Sequence, residues 1–193
     1  MNVNKVSIEL INPTFAQEMM SFIYSNDVLP LVNRDLCEKL GYDQLFVPYP
    51  LINLWNGAEP IGEHKMYYII KVRCKNAYAK IQDVDMLDFD PVIDIVRNKD
   101  HTVLKINLSS NPTAGLLQEY HDGIMASTNN AGGVFSEFSP HIVLTYLNAN
   151  VSDEDIAKVV GRINKGNISS FRVKSFRITN DSPKYLLNIN IKR

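Results

Sequence analysis

Twice along this chain a β-rich run gives way to Asn-Pro and then to a stretch with helical spacing. Val6 to Ile11 (VSIELI) is followed by Asn12-Pro13, and Thr102 to Leu108 (TVLKINL) is followed closely by Asn111-Pro112. An asparagine side chain can accept from a free amide of the first helical turn, and a proline just inside loses no intrahelical bond. The two steps therefore predict helices over roughly Thr14 to Tyr24 and Pro112 to Ile124. Strands alternating with helices restrict the fold to sheets with helices laid on their faces.

The remaining elements are set by pattern and punctuation. Arg34 to Leu40 reads as a short helix stopped by Gly41. Leu45 to Trp55 (LFVPYPLINLW), Ala77 to Leu87 and His141 to Leu147 (HIVLTYL) read as strands. Ser152 with Asp155 resembles a capping box and opens a helix to Asn164, ended by Gly166. Phe171 to Ile178 and Tyr185 to Ile191 close the chain as a hairpin. Glu63 to Lys75 fits a helix through Met66, Ile70 and Cys74, and a strand through the alternate residues Met66 to Cys74. The spacing alone leaves both open. Loops are expected at Asn26 to Pro30, Asn56 to Gly62, Ser127 to Ser139 and Thr179 to Pro183, the third being mobile. None has the length of a linker, so residues 1–193 are expected to form one domain.

Charge removes several classes of partner. Twenty basic and 21 acidic residues give a net charge of −1, without the electrostatic footprint of a protein for duplex DNA or an anionic membrane. No apolar run has the length of a membrane span. Two distant cysteines, Cys37 and Cys74, suit a reduced, cytoplasmic setting. No histidine pair has metal-ligand spacing and there is no Gly-rich phosphate loop, so no metal and no cofactor is expected.

The most informative segment is Phe138-Ser-Pro-His-Ile-Val-Leu-Thr-Tyr-Leu147. It resembles the second signature of the 2H phosphoesterases, a Pro-His followed by an apolar residue and a Thr or Ser on a strand. The order of elements from Ala77 onward is similar too, whereas residues 1–44 are the least family-like and are expected to be an N-terminal elaboration. The resemblance implies an α+β fold: two pseudo-symmetric lobes, each a mostly antiparallel sheet with helices on its outer face, and a cleft between them. In such a cleft two facing histidines act as general base and general acid on a phosphodiester. A hydroxyl two residues along each strand lies on the same face and donates to the phosphate. No metal is implied.

Measured against that pattern, the chain is depleted. His141 is present, but Val143 stands where a hydroxyl is needed. Thr145, a further step along the same face, is the candidate substitute. The first signature is expected on Leu45 to Trp55, with Pro50 at the histidine position and Ile52 at the hydroxyl position, and the resemblance implies that Glu63 to Lys75 is the helix that follows it. A shift by one gives Tyr49 and Leu51. If Glu63 to Arg73 were instead that strand, His64 would be the second imidazole and Met66 would take the hydroxyl position.

The candidate catalytic residues are therefore His141, Thr145 and His64. Tyr49, Asn53, Trp55, Tyr146 and Lys174 are the candidate ligand-binding residues, since bases stack on aromatic faces and lysines meet phosphates. Against these stand sheet core for the aromatics and a solvated strand face for Arg172, Lys174 and Arg177. His121 is expected to face solvent and His101 to sit in a turn. The four aspartates between Asp83 and Asp90 lack calcium-loop spacing and read as a charged strand edge.

Three functional readings are open. The first is a degenerate member that binds a nucleotide or RNA end, or a protein partner, without two-histidine catalysis. The second is an active phosphodiesterase for cyclic nucleotides, cyclic oligonucleotides or RNA 2′,3′-cyclic phosphates, using His141 with His64 or Tyr49. The third is an assembly protein, for instance of a phage in its host's cytoplasm, with Ser127 to Ser139 and the region up to Gln44 as contact surfaces.

Overall fold

The computed structural model describes all residues except 1, 41–43, 47–49, 84–85, 89–91, 108–111, 129–137, 181–185 and 192–193. The Gly41 stop, the Asn111 cap, Tyr49 and most of the 127–139 loop lie outside the described residues.

Two antiparallel sheets carry the structure. The larger contains β1 (Asn2–Ile11), β2 (Leu51–Gly62), β3 (Leu87–Asp88), β7 (Ser170–Thr179) and β8 (Leu186–Asn190). Its order is β2-β1-β7, with β3 and β8 pairing end to end along the outer edge of β7. The smaller sheet has the order β4-β5-β6, formed by Val92–Arg97, His101–Asn107 and His141–Asn148.

Helices pack on the outer faces, as expected. Asn12 caps α1 (Pro13–Ile23) by accepting from the Phe15 amide. Asn33 caps the short α2 (Arg34–Lys39) in the same way. The segment after β2 is helical throughout: α3 (Glu63–Tyr68), a π-turn (Ile69–Arg73) and α4 (Lys75–Asp83). The long α5 (Pro112–Ser127) and α6 (Asp153–Gly161) complete the layer, with Ser152 capping α6. Apolar side chains on the outer faces of the strands meet these helices. Phe176 stacks with Tyr78 of α4 and meets Tyr120 of α5, and Phe171 meets Phe15 of α1 edge-on. No helix among the described residues is long and apolar enough to cross a membrane.

Three expectations are corrected. Ala77 to Leu87 is mostly helix, because its apolar residues Ala77 and Ile81 fall four apart and bury one helical face. The strand that pairs with β5 is Val92–Arg97 instead. Asn56 to Gly62 is not a loop: β2 continues to Gly62, pairing with the first residues of β1. His121 does not face solvent. It is 8% exposed, donates from Nδ1 to the Leu54 carbonyl at 2.7 Å, and stacks on Phe138.

That hydrogen bond has a structural task. The β1–β2 register jumps between Val6↔Trp55 and Ser7↔Asn53, so Leu54 is the extra residue of a β-bulge. His121, from α5, satisfies the carbonyl of that residue. His121→Ala should cost about 1.5 kcal/mol, the usual consequence of leaving a buried acceptor unpaired. The urea midpoint of unfolding measures it, and an unchanged midpoint would remove His121 from this role.

Candidate functional site: the cleft between the two sheets

A second bulge mirrors the first. In the β5–β6 pair the register jumps between Leu104↔Thr145 and Lys105↔Val143, leaving Leu144 as the extra residue. A bulge moves the residues beyond it to the opposite face. On β6, His141 and Val143 face the cleft, Leu144 and Thr145 are both buried, and Tyr146 returns to the cleft side. On β2, Leu51 and Asn53 face the cleft, Leu54 and Trp55 are both buried, and Asn56 returns. The two strands thus share one in–out pattern over residues 51–57 and 141–147. Leu51 matches His141, Asn53 matches Val143, Trp55 matches Thr145 and Asn56 matches Tyr146.

This geometry relocates several sequence candidates. Thr145 does not share a face with His141. The bulge turns it inward, where its hydroxyl donates to the Leu45 carbonyl at 3.0 Å. Trp55 is turned inward for the same reason and is core. On β2 the residues that face the cleft are Leu51 and Asn53, whereas Ile52 is fully buried. His64 lies on α3 with its side chain 99% exposed beside Glu63, and it does not face His141 across the cleft. Lys174 is ion-paired to the buried Glu9 at 2.8 Å, with Ser175 also donating to that carboxylate. It does not line the cavity. Asn53 and Tyr146 do.

The cavity between the sheets has a volume of about 410 Å³. Its polar wall runs across the large sheet in rows set by strand register. Asn53 of β2, Ser7 of β1 and Arg177 of β7 form one row. Asn56, Lys5 and Thr179 form the next. Opposite them stand His141, Val143 and Tyr146, and Leu40 closes one side. Among the described residues two cations line the space and no carboxylate does, so the field they set up favours an anion. Arg177, which strand alternation alone places on a solvated face, has no ion-pair partner among the described residues.

Hydrogen bonds settle which atoms point inward. Ser7 donates to Asn53 Oδ1 at 2.6 Å, which leaves the Asn53 amide nitrogen with donors for a ligand. Across the cleft, His141 donates from Nδ1 to the Ser139 carbonyl at 2.8 Å. In the neutral ring Nε2 is then the acceptor. Burial, chiefly, holds this imidazole below its ordinary value. The Lys105 cation acts in the same sense, while the Ser139 carbonyl and Asp94 oppose it. At neutral pH the ring is therefore an uncharged base. Asp94 is in turn held below the usual carboxylate range, mainly by the Asn107 amide. The arrangement can bind an anion and accept one proton, and among the described residues it offers no second imidazole across the cleft.

No family model matches the chain, and no curated protein does. Among solved structures it is similar to Usb1 from Kluyveromyces marxianus, at 9% identity over 98% of each chain with a TM-score of 0.47. It is similar to apo LigT from E. coli, at 10% identity over 100% of this chain and 97% of that one with a TM-score of 0.48. A third likeness is to a protein described as a phosphoesterase, at 11% identity over 99% and 97% of the chains with a TM-score of 0.44.

Proposed function

We propose that this chain is a divergent 2H phosphoesterase-type protein whose cleft holds the phosphate of a nucleotide or of an RNA end without two-histidine hydrolysis. One observation carries the reading. The two cleft strands repeat the same bulged pattern, and His141 on one is matched by Leu51 on the other. Leucine can neither give nor take a proton, so one half of the acid–base pair is missing. The binding half of the machinery is better equipped. Asn53 supplies an amide donor where the pattern asks for a hydroxyl, and Arg177 and Lys5 supply charge. Tyr146 and Leu40 offer apolar surface to a base or ribose.

Calorimetry with nucleoside 2′- and 3′-monophosphates tests the binding half. Arg177→Gln should weaken affinity about 10- to 100-fold, the usual worth of a charge-assisted hydrogen bond. His141→Ala should weaken binding less. No heat with any nucleotide at millimolar concentration counts against the binding reading. Turnover of 2′,3′-cyclic nucleotides that His141→Ala abolishes would overturn the claim of lost hydrolysis.

A further inference from the structure

We infer that the exposed face of α3, the π-turn and the start of α4 binds single-stranded nucleic acid, through tyrosine rings that stack with bases and cations that meet the phosphates. This face lies on the opposite side of the large sheet from the cleft, because α4 packs on Phe176 while Arg177 faces the cavity.

Four features support it. Tyr67 and Tyr68 are 42% and 48% exposed, so neither ring is spent on the core. Residues 63–75 hold Lys65, Lys71, Arg73 and Lys75 against the single carboxylate Glu63, a local excess that the net charge of −1 conceals. The cations are placed over rings. Lys71 Nζ lies 4.9 Å from the Tyr67 centroid and 5.5 Å from that of Tyr78, and the Arg73 guanidinium lies 5.8 Å from Tyr68. Such pairs occur about once per 70–80 residues, and here three fall between residues 67 and 78.

The backbone is also specialised for this placement. Residues five apart stand about 140° around an α-helix from one another and cannot pair. The Cys74 amide bonds to the Ile69 carbonyl at 2.9 Å, a π-type turn, and this widening brings Arg73 back over Tyr68. π-turns are rare and concentrate at functional positions. A single strand fits better than a duplex, since only splayed bases can reach the tyrosine faces.

The test uses the full chain, a fluorescein-labelled 12-nucleotide single-stranded RNA of mixed sequence, and anisotropy titrations at several salt concentrations. Tyr68→Leu should weaken binding about 5- to 100-fold. The pair Lys71→Gln with Arg73→Gln should weaken it by a comparable factor. It should also make the slope of log affinity against log salt shallower by about 1.4, two single-strand phosphate contacts. Lys158→Gln, exposed on α6 away from both sites, should leave strand binding within about twofold. Thermal melts confirm that these surface variants fold. No strand binding by the parent at low salt would overturn the proposal. So would unchanged affinity and slope in folded variants, equal competition by duplex RNA, or loss of strand binding through Arg177→Gln alone. The last result would leave the cleft reading standing while removing this one.

Discussion

Replacing Leu51 by histidine and Val143 by threonine together should raise hydrolysis of a 2′,3′-cyclic nucleotide by about 10²- to 10⁴-fold, the usual contribution of one positioned acid or base. The expectation rests on the mirrored bulges. Leu51 occupies on β2 the place that His141 occupies on β6, and both line the same cavity. His141 already presents Nε2 as an acceptor, fixed by its bond to Ser139. Its low pKa keeps it neutral, which suits a base. A new imidazole at residue 51 would sit beside the row of Asn53, Ser7 and Arg177, and would meet the leaving group from the other side. Threonine at 143 would return the hydroxyl donor that valine lacks. Two controls separate placement from mere added histidine. Ile52→His puts the imidazole into the sheet core and should destabilise the fold without activity. His141→Ala in the double variant should remove whatever rate was gained. A folded Leu51→His, Val143→Thr protein that binds nucleotide with no gain in rate would sink the idea that only proton transfer is missing.

The cleft-strand residues that escape sequence reading do so for one physical reason. A β-bulge leaves no composition signature: LINLWNG and HIVLTYL share only Leu54 and Leu144 at matching positions together with the isoleucines two residues before them. Alternation counted straight through β6 therefore puts Thr145 in the cleft. One extra residue on each strand reverses the face of every residue beyond it. The same effect hides Tyr146's partner Asn56, which looks like loop because Gly57 and Pro60 come soon after it. His121 is misplaced by local pattern because its tie to the bulge carbonyl spans 67 residues. Legibility depends on local chemistry. Asn12 and Asn33 cap their helices by bonds three residues long, and the serine cap at Ser152 is of the same kind. The helix over Glu63 to Lys75 is not decided by spacing, which fits a strand as well, but by the family resemblance, and the π-turn inside it is not legible at all. Sheets covered by helices are legible in element order, while the antiparallel two-sheet arrangement comes only with the resemblance carried by the segment around Pro140 and His141.

Gly57→Ala should lower stability by about 3 kcal/mol, near the upper end for overpacking a filled core. Trp55 is among the largest fully buried side chains, and the bulge at Leu54 forces its indole onto the core side of β2. There the ring lies across Gly57, and a β-carbon built on that glycine would overlap Cζ2 and Cη2 of the indole. An exposed side chain could swing away, but this ring is enclosed and rigid. Relief must come from moving β2 itself. For a protein of this size the loss corresponds to a fall in Tm of about 6–12 °C. Gly115→Ala is the matched control. It lies in α5 with open space around it, and alanine there should stabilise by about 0.5–1 kcal/mol. Because Asn53 and Asn56 flank the bulge, a displaced indole should disturb the polar row as well as the core. Nucleotide affinity should then fall in the Gly57 variant even at temperatures where it remains folded. A Gly57→Ala protein that melts with the parent would show that the Trp55 ring has another place to go. The bulge would then be less rigid than the shared pattern of β2 and β6 requires.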